Sequence, residues 1–504
     1  MAVKINRRSF VNASAVASLA LASSPLLART SRSFSEYRSY DAVGLAELIR
    51  KGNASPVELL DIAIARTEAV NPKINAIVLE HFDMARKVAR GKLPGGALNG
   101  VPYLLKDLGV SMAGTVTTEG SRFFANARHD KDSTIVERYR AAGLVIFGKT
   151  HSPEFGGTPS SESSLHGTTH NPWDLSRSAG GSSGGSAAAV IAGIVPMAHA
   201  TDGGGSIRIP ASSCGLFGMK PTRGRVPSGP DIYEGWGGLS AGHAVSRSVR
   251  DSALLLDVSQ GAAIGDAYAT SMRERPYMEE INRAPRQLRI ALMKTPLLPV
   301  PVADDCTAAV DAAAKLCESL GHVVGIAKPE LDAMALWQAF GATVNAGVAL
   351  KVARREEALG RLLGSDDLEA LTMLNVQNGR ALSGIDHARA RDTLHAASRS
   401  IGHFMQNYDV ILSPTMAHVP PELGVLSLQQ PYESFIGPAS SASAFTALFN
   451  MTGSPSMSVP LHTTKEGMPV GVMFTGRFGD EATLFRLAAQ LEAEHPWFAR
   501  VPTL

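Results

Sequence analysis

The chain has 504 residues, of which 44% are hydrophobic and 19% charged, so it holds ample apolar material for a large folded core. Its 48 Lys and Arg residues nearly balance its 46 Asp and Glu residues, and the net charge is +2. This balance argues against a nucleic acid or an anionic membrane surface as the partner, because both attract strongly basic proteins.

The first 30 residues carry an export pattern. The stretch NRRSFVNASAVASLALASSPLLA has an arginine pair, Arg7 and Arg8, followed by Phe10 and an Ala/Leu-rich run. This order is typical of a twin-arginine signal peptide, and the apolar run is too short and too interrupted by Ser to span a membrane. A disordered basic tail is the alternative. We therefore predict a signal peptide over 1–30, a folded domain over 31–504, and a periplasmic or secreted mature protein that is not bound to a membrane.

The first predicted element of the domain is a helix that begins after Ser55. In SPVELLDIAIARTEAV, Ser55 is an N-cap residue, Pro56 takes the first helical position, and Glu58 stands three residues after the cap. Helix and strand patterns then alternate along the chain. Strands are predicted in LVIFGKT, IVPMAHATD, QLRIALMK, HVVGIA, YDVILSPT and VGVMFTGR, and helices in IVERYRAAG, GGSAAAVIAG and DEATLFRLAAQLEAE.

This alternation predicts an α/β fold. We expect a single large domain with a central mixed β-sheet that helices cover on both faces. The stretches 262–285 and 328–400 do not fit the alternation, and we expect them to be insertions or covering elements.

The three cysteines, Cys214, Cys306 and Cys317, show no CxxC spacing, so they do not predict a zinc site. Cys306 and Cys317 fall on one predicted helix, which disfavours a disulfide between them even in an oxidising compartment. We expect all three side chains to be buried thiols.

A glycine-rich stretch, SRSAGGSSGGSAAAVIAG at 176–193, allows several interpretations. A Walker phosphate loop needs a Lys after its last Gly, but Ser186 follows Gly185, and no GxGxxG dinucleotide fingerprint is present. The segment 180–184 matches GxSxG, yet the preceding NPWDLSRSAG is too polar for the buried strand that leads into the nucleophile of an α/β-hydrolase. A flexible linker remains the alternative, although the stretch runs directly into a predicted helix.

Two further features suggest acyl transfer. In HATDGGGSIRIPAS, three glycines precede Ser206, and consecutive glycines can turn several main-chain N–H groups toward one point beside the hydroxyl. This arrangement resembles a nucleophile next to an oxyanion hole. In NGVPYLLKDLGV, Lys106 stands in an apolar run, where desolvation disfavours its charge and makes it a candidate base. Taken singly, Lys106 also fits an ion-paired edge lysine, and Ser206 an ordinary turn residue.

Together these segments resemble the amidase signature family of hydrolases. The likeness covers nearly the whole predicted domain and rests on long matches. The matching segments are VPYLLKDL, GKTHSPEFG, HNPWDLSRSAGGSSGG, GGSSGGSAA, TDGGGSIRIPASSCGLFGMKPTRGR, FNMTGSPSMSVP and GMPVGVMFTGRFGDEATLFRLA. The resemblance implies the amidase signature fold over 31–504 and an enzyme that hydrolyses amide C–N bonds without a metal or an organic cofactor.

The resemblance also implies a catalytic triad. Ser206 is expected to be the nucleophile that forms an acyl-enzyme, Ser182 the residue that relays the proton, and Lys106 the base. A cis peptide bond is expected between Gly181 and Ser182.

Other residues are expected to support this triad. The main-chain N–H groups of Gly203, Gly204, Gly205 and Ser206 are expected to bind the oxyanion. The resemblance further suggests that Asp202 and Arg208 brace this loop and that Ser183 supports the cis turn; a surface ion pair and a turn hydroxyl are the alternatives. Many relatives carry a larger residue in place of Gly203, so its missing side chain is expected to leave room near the scissile carbonyl.

The substrate is less constrained by the sequence. Met112, Phe155, Trp337 and Phe340 are candidates for an apolar substrate-binding wall, although such residues are often plain core. A small-molecule amide is the expected partner; linear, cyclic and aryl amides, carbamates and esters all remain open, as does a homodimer. The alternatives are the glutamine-hydrolysing A subunit of a tRNA-dependent amidotransferase and a non-catalytic binding protein of the same fold. The export pattern argues against the first alternative, and the complete triad against the second.

Overall fold

Helices and strands alternate along the chain, as the sequence predicts. The computed structural model describes residues 34–504, so the predicted signal peptide lies outside the described residues. The strands are β1 (Ile77–Glu80), β2 (Pro102–Lys106), β3 (Val145–Thr150), β4 (Glu162–Ser163), β5 (Gly167–Thr168), β6 (His170–Asn171), β7 (Asp174–Ser178), β8 (Met197–Asp202), β9 (Phe217–Lys220), β10 (Ala241–Ser246), β11 (Arg289–Leu292), β12 (Val323–Ile326), β13 (Val410–Pro414), β14 (Ser456–Thr463) and β15 (Pro469–Gly476). The helices that follow residue 41 are α1 (Ala42–Arg50), α2 (Pro56–Ile74), α3 (Phe82–Arg90), α4 (Thr134–Ala141), α5 (Gly184–Ile191), α6 (Arg208–Cys214), α7 (Val249–Ser259), α8 (Tyr277–Glu280), α9 (Asp304–Ser319), α10 (Ala333–Leu359), α11 (Ala370–Ala381), α12 (Gly384–Phe404), α13 (Tyr432–Ser443), α14 (Leu448–Met451) and α15 (Glu481–Glu494).

The predicted start of α2 is confirmed. The Ser55 side chain accepts a hydrogen bond from the Glu58 N–H (3.2 Å), and the Glu58 carboxylate accepts one from the Ser55 N–H (2.7 Å). This capping box satisfies two N–H groups that a helix start otherwise leaves without partners.

A mixed eight-stranded sheet forms the centre of the domain. Its strand order is β12-β11-β13-β15-β14-β9-β10-β8. Strand β11 runs parallel to β12 and β13, and the remaining neighbours are antiparallel. Two glycines of β15 show that helices cover both faces, because residues five apart on a strand point to opposite sides. Gly471 approaches Ser212 of α6, and Gly476 approaches Leu484 of α15.

A smaller sheet, in the order β1-β3-β2, stands beside the edge strand β8. Its strand β2 is fully buried and ends at Lys106. The Lys106 main-chain N–H donates to Nδ1 of His199 on β8 (3.3 Å), which fixes the end of β2 against the large sheet. The two sheets therefore meet where the predicted base is located.

The stretch 328–400, predicted to be a covering element, holds most of the three consecutive helices α10, α11 and α12. Helix α10 packs against α11 and α12 and lines the cavity described below. In the described part of the chain, α10 is the one helix long and apolar enough to cross a membrane, and 28% of its apolar stretch is buried.

Cys214, Cys306 and Cys317 are free, buried thiols, as predicted. Cys306 and Cys317 both lie on α9. Burial raises the pKa of all three thiols, so each stays protonated at neutral pH.

Candidate active site

Lys106 is fully buried where the two sheets meet. Its Nζ donates to Ser182 Oγ (2.7 Å) and to Thr201 Oγ1 (2.9 Å). Both partners are neutral hydroxyl groups, so neither neutralises a positive charge on Nζ. Burial lowers the pKa of Lys106 well below its usual value, and the charges of Asp202 and Glu119 oppose this effect only in part. A neutral amine in contact with a serine hydroxyl can accept that proton.

Ser182 lies in the tight turn formed by the glycine-rich stretch. The Gly181–Ser182 peptide bond is cis, as the resemblance implied. Only glycine fits at position 181, because a β-carbon there would lie 2.4 Å from the main-chain N of Ser160. Ser182 is buried, and it lines a cavity of about 730 Å³. The glycines thus allow close packing that holds this hydroxyl between Lys106 and the cavity.

Ser183 ties the turn to the neighbouring strand. Its hydroxyl donates to the Thr201 carbonyl (3.2 Å) and accepts from the Thr201 N–H (3.3 Å). Because the Thr201 side chain also contacts Lys106, this pair of bonds sets the position of the turn relative to Lys106.

Ser206 follows β8 in the second glycine-rich turn. It is half-buried and lines the same cavity as Ser182. Its hydroxyl has no hydrogen-bond partner within residues 34–504.

Asp202 organises the turn before Ser206. Its carboxylate accepts from the main-chain N–H of Gly205 (2.8 Å) and Ile207 (3.0 Å), and it forms a two-pronged ion pair with Arg208 (2.8 and 2.9 Å). The Asn450 amide donates to the same carboxylate (2.8 Å) and to the Asp202 carbonyl (2.9 Å). Burial alone would raise the pKa of Asp202, but the Arg208 charge and these hydrogen bonds hold it below its usual range.

One predicted member of the oxyanion hole needs correction. The single N–H of Gly205 already donates to Asp202, so it is not free to bind an oxyanion. The Gly204 carbonyl accepts from Thr446 Oγ1 (2.7 Å). The N–H groups of Gly203, Gly204 and Ser206 have no hydrogen-bond partner among the described residues and remain candidate donors.

Of the four residues predicted to form an apolar substrate-binding wall, Phe155 lines the cavity. The prediction was wrong for Met112, which is buried in the main hydrophobic core. It was also wrong for Trp337, whose ring packs on Phe340 (5.5 Å between ring centroids) and against a second core cluster. Phe340 does not line the cavity either, although its ring lies against Gly204. Methionine and aromatic side chains fit a hydrophobic core as well as a cavity wall, so residue type alone did not distinguish the two.

Sequence reasoning missed three residues at the site. Thr201 contacts Lys106, and Asn450 holds Asp202. Trp236 lines the cavity beside residues 203–206, which are called the oxyanion loop below after their predicted role. Thr201 and Asn450 lie inside the segments TDGGGS and FNMTGSP, so their positions in these segments were a usable signal. Trp236 lies in a loop without a recognisable motif.

Comparisons with known proteins show similarity over most of the chain. A family model described as Amidase matches residues 58–485. The chain is 38% identical over 477 residues to a 6-aminohexanoate-cyclic-dimer hydrolase of Paenarthrobacter ureafaciens, covering 92% of this chain and 96% of that protein.

Solved structures show the same similarity. A structure of 6-aminohexanoate cyclic dimer hydrolase complexed with substrate superposes with a TM-score of 0.88 at 37% identity, covering 92% of this chain and 99% of that chain. A bacterial aryl acylamidase of the amidase signature family superposes with a TM-score of 0.84 at 26% identity, covering 91% and 96%.

Proposed function

The chain belongs to the Amidase family of amide hydrolases, and we propose that it cleaves its substrate through an acyl-enzyme on Ser206. The products are a carboxylic acid and an amine or ammonia. One observation carries the proposal: a buried Lys106 whose pKa is lowered by burial lies 2.7 Å from the Ser182 hydroxyl, at the cavity that Ser206 lines.

The proposed reaction has two halves. Ser206 Oγ attacks the carbonyl carbon while its proton moves to Ser182 Oγ, and the Ser182 proton moves to the neutral Lys106 amine. The tetrahedral oxyanion is bound by the free N–H groups of Gly203, Gly204 and Ser206. The C–N bond then breaks, and the proton returns from Lys106 through Ser182 to the leaving nitrogen. Water attacks the ester by the same proton route and releases the acid.

The cavity supports a small molecule with an apolar body as the substrate. Its volume of about 730 Å³ lies in the range of small-molecule sites. Its walls include Leu108, Val110, Ile135, Phe155 and Trp236. The relatives act, by name, on a cyclic dimer and on aryl amides. We therefore propose a linear or cyclic aliphatic amide, an aryl amide or a carbamate as the substrate class.

The test is hydrolysis of a panel of p-nitroanilides and matched p-nitrophenyl esters of increasing acyl size by residues 31–504. The Ser206→Ala variant is expected to lose roughly 10⁴-fold or more in kcat/KM while it stays folded. The matched control is Ser228→Ala, because Ser228 lines the same cavity outside the catalytic turn. It should retain the wild-type rate.

A trapped intermediate makes the test specific. Acid quenching during ester turnover should leave the acyl mass on the peptide that contains Ser206, as read by mass spectrometry. Full activity of Ser206→Ala, or an acyl group on another residue, would contradict the mechanism. Turnover of free glutamine alone would favour the amidotransferase subunit, and a folded protein inert toward every substrate would favour the binding protein.

We also propose export through the twin-arginine route. The support is the Arg7–Arg8 pair and the apolar run that follows it. Fusing residues 1–33 to a reporter that is active only after twin-arginine export should give a signal that Arg7→Lys with Arg8→Lys abolishes. A signal that survives this double change would contradict the proposal.

A further inference from the structure

Trp236 lines the active-site cavity in an unusual backbone conformation. Its φ of 50° lies in the left-handed region, which residues with a large side chain rarely adopt. Gly237 (φ 57°) and Gly238 (φ 85°) continue the same conformation. Three such residues in succession form a sharp turn, and this turn presents the Trp236 side chain to the cavity. Rare backbone conformations of this kind concentrate at functional sites.

The Trp236 indole is wedged between two glycines. A β-carbon on Gly203, in the oxyanion loop, would lie 2.8 Å from Cε3 and 2.9 Å from Cζ3 of the indole. A β-carbon on Gly347, in α10, would lie 3.1 Å from Cδ1. The indole therefore fills the space between the oxyanion loop and the covering helix. A side chain at position 203 would displace the indole, and one at position 347 would contact it tightly.

The turn that carries Trp236 is anchored on both sides. Glu234 forms an ion pair with Arg391 of α12 (3.1 Å). On the other side, Arg223 Nε donates to the Gly238 carbonyl (2.6 Å), and the Asn450 amide that holds Asp202 also donates to the Leu239 carbonyl (3.1 Å). Asn450 thus supports both the turn that carries Trp236 and the loop that contains Gly203, and so holds the two segments at a defined separation.

This packing changes the expectation for Gly203. The missing side chain does not leave open space near the scissile carbonyl, because the Trp236 ring occupies it. An alanine at this position and a tryptophan at 236 are sterically incompatible in this geometry. Sequence comparison at position 203 alone cannot show the width of the site.

We propose that Trp236 is the specificity-determining residue that limits the width of the cavity beside the scissile carbonyl. The site then favours amides whose acyl carbon next to the carbonyl is unbranched and discriminates against branched ones. This inference rests on the proposed function, since it places the scissile carbonyl at the oxyanion loop beside Gly203.

A double-mutant cycle tests the wedge without any substrate. In the otherwise unchanged chain, Gly203→Ala should lower the Tm, because the new methyl group must displace the indole. In the Trp236→Ala background the same change should lower the Tm much less, because the two closest contacts are then gone and only the Ser240 hydroxyl, at 3.1 Å, remains. An equal loss of Tm in both backgrounds would overturn the proposal.

Specificity is measured on acetyl, propionyl, isobutyryl and pivaloyl p-nitroanilides. Trp236→Ala should raise kcat/KM for the branched acyl groups relative to acetyl by about tenfold. Gly203→Ala should lower kcat/KM for every substrate in the wild-type background, and by a smaller factor in Trp236→Ala. The matched control is Trp337→Phe, which changes a tryptophan outside the cavity and should leave the acyl preference unchanged.

The outcomes separate the two proposals. A wedge confirmed by the Tm cycle together with an unchanged acyl preference overturns the specificity role of Trp236 and leaves the acyl-enzyme intact. The specificity role is also overturned if Trp236→Ala changes the acyl preference no more than Trp337→Phe does. Absence of turnover with every substrate contradicts the proposed function, and the Tm cycle still reports whether the wedge exists.

Discussion

The floor and the roof of the cavity are built in different ways. The floor rests on buried polar groups: Lys106 donates hydrogen bonds to Ser182 and Thr201, and the Asp202 carboxylate accepts several. The roof consists of α10 and the loop before β10, where Leu350 and Tyr233 line the cavity yet are 53% and 69% exposed. Buried polar groups destabilise the fold unless they are paired, so the floor tolerates little change. Exposed apolar side chains carry no such constraint, and the roof is therefore where substrate specificity can vary.

The largest expected effect comes from removing the proposed catalytic base, Lys106, below the cavity. Lys106→Met should lower kcat/KM by about 100- to 10,000-fold, because no other group replaces the proton acceptor. The free energy of unfolding should fall modestly, as in the control below, because the change removes the Nζ hydrogen bonds to the buried Ser182 hydroxyl and to the Thr201 hydroxyl. Steady-state kinetics and denaturant unfolding measure the two effects.

A second buried lysine provides the control. Lys149 lies on the adjacent strand β3, and burial lowers its pKa to about 8. Its Nζ donates to the Val116 carbonyl and the Thr117 hydroxyl (2.6 Å each) but lies outside the cavity. Lys149→Met should therefore destabilise the fold and leave kcat nearly unchanged. Equal losses of kcat in both variants would show that Lys106 acts through structure and not as the base.

The next effect is on stability. Arg208→Met leaves the buried Asp202 carboxylate without its counter-charge and should lower the free energy of unfolding by about 3–5 kcal/mol. The exposed pair of Arg389 with Asp386 is the control, and Arg389→Met should leave stability unchanged.

The Asp202 contribution also has a defined pH dependence. Its pKa is lower in the folded protein than in the unfolded chain, so the stabilisation is present above the unfolded value of about 3.9 and is lost as the pH falls toward the folded value. Between pH 7 and pH 3, wild-type protein should lose more stability than Arg208→Met. A loss of equal size in both would contradict the ion pair as its source.

The same division between floor and roof explains what the sequence could predict. Lys106, Ser182 and Ser206 lie in three short segments whose residue types and spacing are specific, and the alternation of helices and strands predicts the mixed sheet that carries them. Each of these features depends on local sequence. The capping box at Ser55 formed as predicted for the same reason.

The remainder depends on contacts between distant segments. Trp236 meets Gly203 and Gly347, which are 33 and 111 positions away along the chain. Nothing in the loop sequence specifies these neighbours. Trp337 was predicted at the site but packs against a core cluster; an apolar ring on a helix fits both environments, so its residue type did not decide between them. Likewise, the Gly205 N–H donates its hydrogen bond to the Asp202 carboxylate, and only the folded turn shows this.

A smaller effect concerns pH and activity. The proposed base must be neutral, and burial lowers the Lys106 pKa well below its usual value. Activity should therefore rise from acid toward mildly alkaline pH and fall by about tenfold for each pH unit below the folded-state pKa. The measurement is kcat/KM between about pH 5 and pH 9, and Lys149→Met should keep the same profile. A flat profile in the wild-type protein would contradict a neutral lysine as the base.

The smallest effect distinguishes two serines of the same turn and helix. Ser183→Ala removes the two hydrogen bonds to Thr201, and Ser186→Ala removes bonds to the His199 carbonyl (2.7 Å) and the Thr150 hydroxyl (2.7 Å). Each change should lower the free energy of unfolding by about 1 kcal/mol, because both hydroxyls are buried and bonded to the neighbouring strands. Only Ser183→Ala should also lower kcat, since Thr201 positions Lys106 and the loss of its partner loosens the contact between base and relay. Equal kcat values in the two variants would mean that the turn holds Ser182 in place without Ser183, and that the cis turn is supported by its close-packed glycines alone.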